Sequence, residues 1–315
     1  MSNSLRICLV LILVGVLIFV IAFAAVGFDF KKLDGKKYVT NTYEINEDFN
    51  SINVNLDTTD ITFAFAEDGL CRVVCYEEQN LPHSVTVQNG ALNIIPAERR
   101  WYDDIFNFRS ASMTVYLPKS EYASLIVDIS TGDVQIYENF TFESVDVSGS
   151  TGDVKCYASV LETLRVHVST ANVFIERASV GSADIAVSTG DIVLSGVSTA
   201  GDIKLSYSTG DVYMTDVFCK NLTSDGSTGS MTMKNVVASE NFSITASTGD
   251  VKFDRCDAAE IFVNVSTGDV KGSLLSEKIF IVKVNTGDVD VPETTSGGRC
   301  KIKTTTGDVE IVIAE

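Results

Sequence analysis

The sequence predicts an all-β protein: a parallel β-helix of about ten coils of 19–20 residues, with a less regular β cap and one N-terminal transmembrane helix before it. Three observations carry this. A five-residue turn, STGDV, recurs at a fixed period, apolar residues alternate on both sides of every copy, and one long uncharged run lies near the amino terminus. The boundaries that follow are a short basic region at 1–6, the apolar run at 7–27, a linker at 28–48, cap and first coils at 49–118, and the repeat solenoid at 119–315.

The apolar run, ICLVLILVGVLIFVIAFAAVG, is 21 residues without a charge, long enough for a helix to cross a bilayer. AFA at 22–24 has the small-x-small pattern of a signal-peptide cleavage site. Hydrophobicity continues through Val26, however, and Arg6 is the only charge in the run before it, which favours an uncleaved anchor. Lys31, Lys32, Lys36 and Lys37 follow the run and, by the positive-inside rule, would hold that side in the cytoplasm.

Residues 49–118 are β-rich without a strict period. SINVNLDTTDITFAF at 51–65 fits the repeat frame with Asp60 at the corner, SVTVQNGALNIIP at 84–96 holds an Asn89-Gly90 hairpin turn, and SMTVYLP at 112–118 adds a strand closed by Pro118. This segment is expected to cap one end of the solenoid and protect its edge. Within it, ERRWYDDIFNFRS at 98–110 gathers Arg99, Arg100, Trp101, Tyr102, Phe106 and Arg109, a contact-type mixture of aromatics and arginines. A loop folding its aromatics onto the cap would use the same residues.

The repeat itself is read from the corner residue. Corners fall at Asp133, Asp153, Asn172, Asp191, Asp211, Ser230, Asp250, Asp269, Asp288 and Asp308, always 19 or 20 apart. Such regularity signals stacked units. At eight, six and four residues before the corner stand Leu125, Val127, Ile129 or Leu164, Val166, Val168; at one and three after it stand Val134, Ile136 or Ile192, Leu194. Each flank alternates with period two and so buries one face. Six residues after the corner a further apolar place recurs: Val197, Val217, Val236, Cys256, Leu275. Hairpins favour Asn-Gly or Asp-Gly, whereas here Gly precedes Asp, so stacked coils are preferred to a meander. Ten coils at about 4.8 Å give a rod on the order of 50 Å long.

Glycine permits the corner a positive φ, and Asp, Ser and Thr bond nearby backbone N–H groups. Stacking places carboxylates about 4.8 Å apart, where neighbours repel by about 0.9 kcal/mol in water. Backbone hydrogen bonds and water relieve this in one reading. In the other, calcium runs along Asp133, Asp153, Asp191, Asp211, Asp250, Asp269, Asp288 and Asp308, since a hard cation takes carboxylate oxygen.

The net charge of −18 argues against a nucleic-acid partner and disfavours docking of the domain surface on anionic lipid. The seven cysteines form no framework: Cys71 and Cys75 would lie about 13 Å apart on one strand face, too far to bridge, while Cys156 and Cys300 fall on inward positions. No Cys/His spacing resembles a zinc site, and neither His83 nor His167 belongs to a catalytic constellation, so no enzyme and no cofactor are expected.

With these residues in view, the chain resembles a bacterial family of β-strand-repeat proteins known as "putative adhesins". The likeness rests on the STGDV turns, FNSINVNLDTTDI at 49–61, LNI at 92–94, VYLP at 115–118, and a span followed by GFDFKKL at 27–33, and it covers about 45–315. The resemblance implies a membrane-anchored β-helix at the cell surface or envelope, with the repeat domain outside, contacting a protein or a polysaccharide. As the alternative, it also implies an envelope-stress or scaffolding role through another membrane protein. A carbohydrate-active β-helix is the third reading.

Overall fold

The computed structural model describes residues 12–18, 20, 21, 24, 37–97 and 111–314. Parallel strands stack in register as expected. Alternation of apolar side chains forces every second residue inward, and the columns stack like on like. One column runs Ile52, Leu125, Val145, Leu164, Ala183, Ile203, Leu222, Phe242, Ile261 and Cys300, all buried. Size is balanced between neighbouring layers: the buried ring of Tyr207 fills the space where a Cβ on Gly226 would come within 2.3 Å of it.

The stack does not follow chain order at either end. Strand Ser51–Phe65 is the second layer, since it pairs on one side with Ala91–Ile95 and Ala111–Leu117 and on the other with Glu121–Thr131 and Val134–Ile136. At the far end Val251–Thr267 and Val270–Leu274 pair with Gly298–Thr306 and Val309–Ile313. Those in turn pair with Lys278–Thr286 and Val289–Asp290. The final stretch of chain is thus inserted beneath the coil that precedes it, and 278–290 forms the outermost layer.

The amino-terminal end is closed. Cys71–Glu78 pairs antiparallel with Ala111–Leu117, Tyr38–Ile45 pairs antiparallel with Cys71–Glu78, and Ser84–Gln88 pairs antiparallel with Ala91–Ile95. Asn89 and Gly90 both take positive φ in the connecting turn, as the Asn-Gly signal requires. At the other end Phe280, Val282, Val284 and Val291 are only half-buried and Val289 is 49% exposed, although their spacing marks them as core. Among the described residues no layer covers them.

One expectation needs correction, and a second is not shown. Leu275 is 40% exposed and Leu274 takes the inward place opposite Cys256, because this coil has one residue between Gly272 and Leu274 where its neighbour has two between Phe253 and Cys256. The second concerns the 7–27 run, of which 12–18, 20, 21 and 24 are described as helical and exposed. Among the described residues no helix is long and apolar enough to cross a membrane, and the rest of the run lies outside them.

Candidate functional site

The corner Asp is the most repeated functional group, and its surroundings are set by the turn before it. Nine of the eleven corners carry Gly at the preceding position, with φ between +128° and +148°. A Cβ there would also strike the carbonyl oxygen of the adjacent coil, at 1.9 Å for Gly229 and 2.1 Å for Gly152. Glycine is needed twice over, for the dihedral and for the close approach. Thr59 and Ala171 hold this position in the other two corners, and neither takes positive φ.

This close approach sets each carboxylate onto its neighbour. Oδ1 of Asp60 accepts from the backbone N–H of Asp133 at 3.0 Å, and Oδ1 of Asp133 from the N–H of Asp153 at 2.8 Å. The relay continues through Asn172, Asp191, Asp211, Ser230, Asp250 and Asp269. It ends in stack order rather than chain order: Asp308 donates to Asp269 at 2.9 Å and Asp288 to Asp308 at 3.0 Å. Every rung therefore ties one layer to the next, through a carboxylate at most corners, the amide oxygen of Asn172 and the hydroxyl of Ser230.

The second carboxylate oxygen faces outward and finds local partners at several rungs. Tyr213 donates to Asp211, Lys252 lies 3.5 Å from Asp250, and Lys271 lies 3.0 Å from Asp269 and 3.5 Å from Asp308. The hydrogen bond from the Asp308 N–H, with Lys271 beside it, holds the Asp269 carboxyl below the usual range. Among the described residues, no three ligand groups converge within 4.8 Å along this ladder.

Beside the ladder runs a column of threonines: Thr58, Thr131, Thr151, Thr170, Thr189, Thr209, Thr228, Thr248, Thr267, Thr306 and Thr286 stack as direct partners, all exposed. The next positions outward are mostly Ser, also exposed. Together they make a flat ribbon of hydroxyls and carboxylates along the rod. On the neighbouring face, Arg165 lies 3.3 Å from Asp146 and His167 lies 3.5 Å from Asp184, all part-exposed. A groove of 720 Å³ lined by Lys119, Glu121, Tyr122 and Glu143 adds no histidine or thiol.

One cluster escaped the sequence reading. In the cap, Glu77 is 1% exposed, and its Oε1 accepts from Asn41 Nδ2 at 2.6 Å and Tyr43 Oη at 2.7 Å. Its Oε2 accepts from the His83 N–H at 2.7 Å, and His83 Nδ1 lies 2.6 Å away. Burial alone would raise the Glu77 pKa, but the four donors outweigh it and hold the carboxyl below its ordinary 4.5. Cys75 brings its sulfur within 4.8 Å of this pair, a donor set a metal ion could use. Both carboxylate oxygens are already engaged, however, and the cluster is complete as a network locking the strands of the cap together. No motif announced it, since Asn41 and Tyr43 lie more than thirty residues away and meet Glu77 only through antiparallel pairing.

The six described cysteines are free and buried, as core thiols. Burial pushes Cys75, Cys219 and Cys300 up to about 12 and Cys156 and Cys256 up to about 11, so none is a thiolate near neutrality. Arg99, Arg100, Trp101, Tyr102, Phe106 and Arg109 lie outside the described residues.

Residues 49–212 and 201–315 match the Toastrack DUF4097 family. No curated protein matches the chain. A "putative adhesin" from Parabacteroides distasonis has a similar structure, with a TM-score of 0.52 at 16% identity over 88% of this chain and 98% of its own. One from Parabacteroides merdae gives 0.53 at 16% identity over 76% and 97%. At that identity the shared property is the solenoid fold. Its family is fixed by the sequence match: the chain belongs to the Toastrack DUF4097 family.

Proposed function

We propose that this protein is a non-enzymatic, membrane-anchored envelope protein whose solenoid stands outside the membrane and offers its polar ribbon for contact with a protein or polysaccharide. The observation that carries this reading is the ribbon of exposed Thr and Ser beside a mostly half-buried corner column, with Thr repeated over eleven layers and Asp at nine of their corners. A repeated flat surface suits a repetitive or extended partner, whereas turnover needs unlike groups converging on one point. The described helical residues support an anchor, since Ile12, Leu13, Leu17 and Ile18 are all about 60% exposed. The adhesin wording attached to the two similar structures agrees with a surface role.

A second reading, a sensor or scaffold for another membrane protein, is favoured by the same anchor. The lysines at 31, 32, 36 and 37 argue for the opposite orientation. Protease shaving of intact cells bearing a C-terminal tag decides between the sides: loss of the tag is expected, and survival until lysis would retire the surface reading. A polysaccharide screen against membrane pull-downs then separates adhesion from scaffolding. Turnover of any polymer by the purified protein would overturn the non-enzymatic part. Calcium forms no part of this reading, because the first oxygen of each ladder carboxylate beneath the outermost rung, Asp288, is spent on backbone. Titration with millimolar calcium is expected to release no heat, and a stoichiometric heat would turn the corner into a metal site.

A further inference from the structure

We propose that the open end of the solenoid is a self-association surface, at which two copies of this chain pair antiparallel through strand Lys278–Thr286. This inference is independent of the ribbon and of the side of the membrane on which the rod stands.

The outermost strand has the makings of an interior one. Its inward residues Phe280, Val282 and Val284 are half-buried because, among the described residues, no layer lies above them. Two of its outward residues are apolar too, with Ile279 40% and Ile281 49% exposed. Alternate residues of a strand that pairs on one side only turn their N–H and C=O groups outward, unmatched. Repeat proteins normally end in a cap with a polar outer face. The amino-terminal end of this chain has such a cover, and makes it by antiparallel pairing onto parallel layers.

A second copy fits this end in one register. A two-fold axis through Phe280 preserves the inward and outward faces and stacks Phe280 on its own equivalent. It sets Ile279 opposite Ile281 twice, joining four exposed isoleucines into one cluster. It also sets Glu277 opposite Lys283 twice. That last pairing answers an imbalance within one chain: Lys283 is the direct strand partner of Lys303 and has no ion pair among the described residues. Glu277 is exposed, with the Ser296 hydroxyl as its neighbour. An axis through Ile281 or Val282 would instead face Lys283 with an isoleucine. The remaining charge on the strand, Lys278, is buried against Asp257 at 2.6 Å and stays out of the seam. The arrangement is isologous and closed, giving a dimer of two rods end to end and no filament.

The test uses the full chain in detergent, with the protein mass followed by light scattering over a concentration series. A dimer is expected. Glu277→Lys alone and Lys283→Glu alone should each weaken it at least tenfold, and the two together should restore it. Both sites are exposed, so an unchanged circular dichroism spectrum confirms that the variants fold. In a Cys8→Ser background, the pair Ile279→Cys and Ile281→Cys should cross-link under mild oxidation, whereas Ser148→Cys in mid-rod should not. A chain monomeric throughout overturns the proposal. So does a dimer indifferent to both single reversals, which would have to form elsewhere, or a double reversal that fails to restore pairing.

Discussion

The two ends of the rod solve the same problem differently. At the amino-terminal end three antiparallel strands cover the last parallel layer, and the Glu77 network pins them in place. At the carboxyl-terminal end the last layer has the same inward side chains and, among the described residues, no cover. Inward-pointing residues make a core only when a layer lies on both sides of them. The difference teaches that the repeat pattern specifies the coil, while burial depends on where the coil sits in the stack.

Position should therefore scale the cost of otherwise identical changes. The largest effect is expected from Gly229→Ala in mid-rod, where a methyl would sit 1.9 Å from the Gly210 carbonyl and both layers are held from outside. Chemical denaturation should report a loss of about 4 kcal/mol or more. Gly287→Ala, whose methyl meets the Gly307 carbonyl at 2.2 Å, should cost clearly less, because the outermost layer can lift. Equal losses would break the comparison.

Next, Phe63→Ala at the covered end removes a fully buried ring and should cost about 3–5 kcal/mol. Phe280→Ala should cost about half as much or less in the monomer.

A smaller effect sharpens the picture of the cap. Glu77→Gln keeps the shape of the side chain but loses the charge that four donors serve, at a cost of about 2 kcal/mol. Because the folded state depresses the Glu77 pKa, its contribution is present above the ordinary value of 4.5 and is lost as pH falls through the folded value. The native protein should therefore lose stability below about pH 4.5 more steeply than the variant. The smallest effect belongs to the ladder, where Asp191→Ala removes one acceptor for the Asp211 N–H and should cost about 1 kcal/mol.

The coil was legible because its signals are local: period-two alternation and a Gly that the corner requires. A second corner was not, because it needs no special residue type. Arg177, Asp216, Asn235, Arg255 and Gly196, each five residues after the first corner, all take positive φ, and four of the five are not glycine. The swapped order of the layers at both ends also left no local trace. Val309 and Val289 carry the same pattern, and only pairing decides which lies beneath the other. The Asp ladder was legible as a list of positions, but its role as a chain of acceptors for the next layer's N–H depends on a glycine approach visible only in three dimensions. The exposed Thr column follows from the same register.

The contrast between the ends is tested most directly by amide hydrogen exchange at low and high protein concentration. The account predicts that 71–78 and 111–117 are strongly protected at both, while 278–286 exchanges quickly in dilute protein and becomes protected on concentration. Protection of 278–286 equal to that of 251–267 in dilute protein, or exchange of 71–78 as fast as that of 278–286, would contradict it.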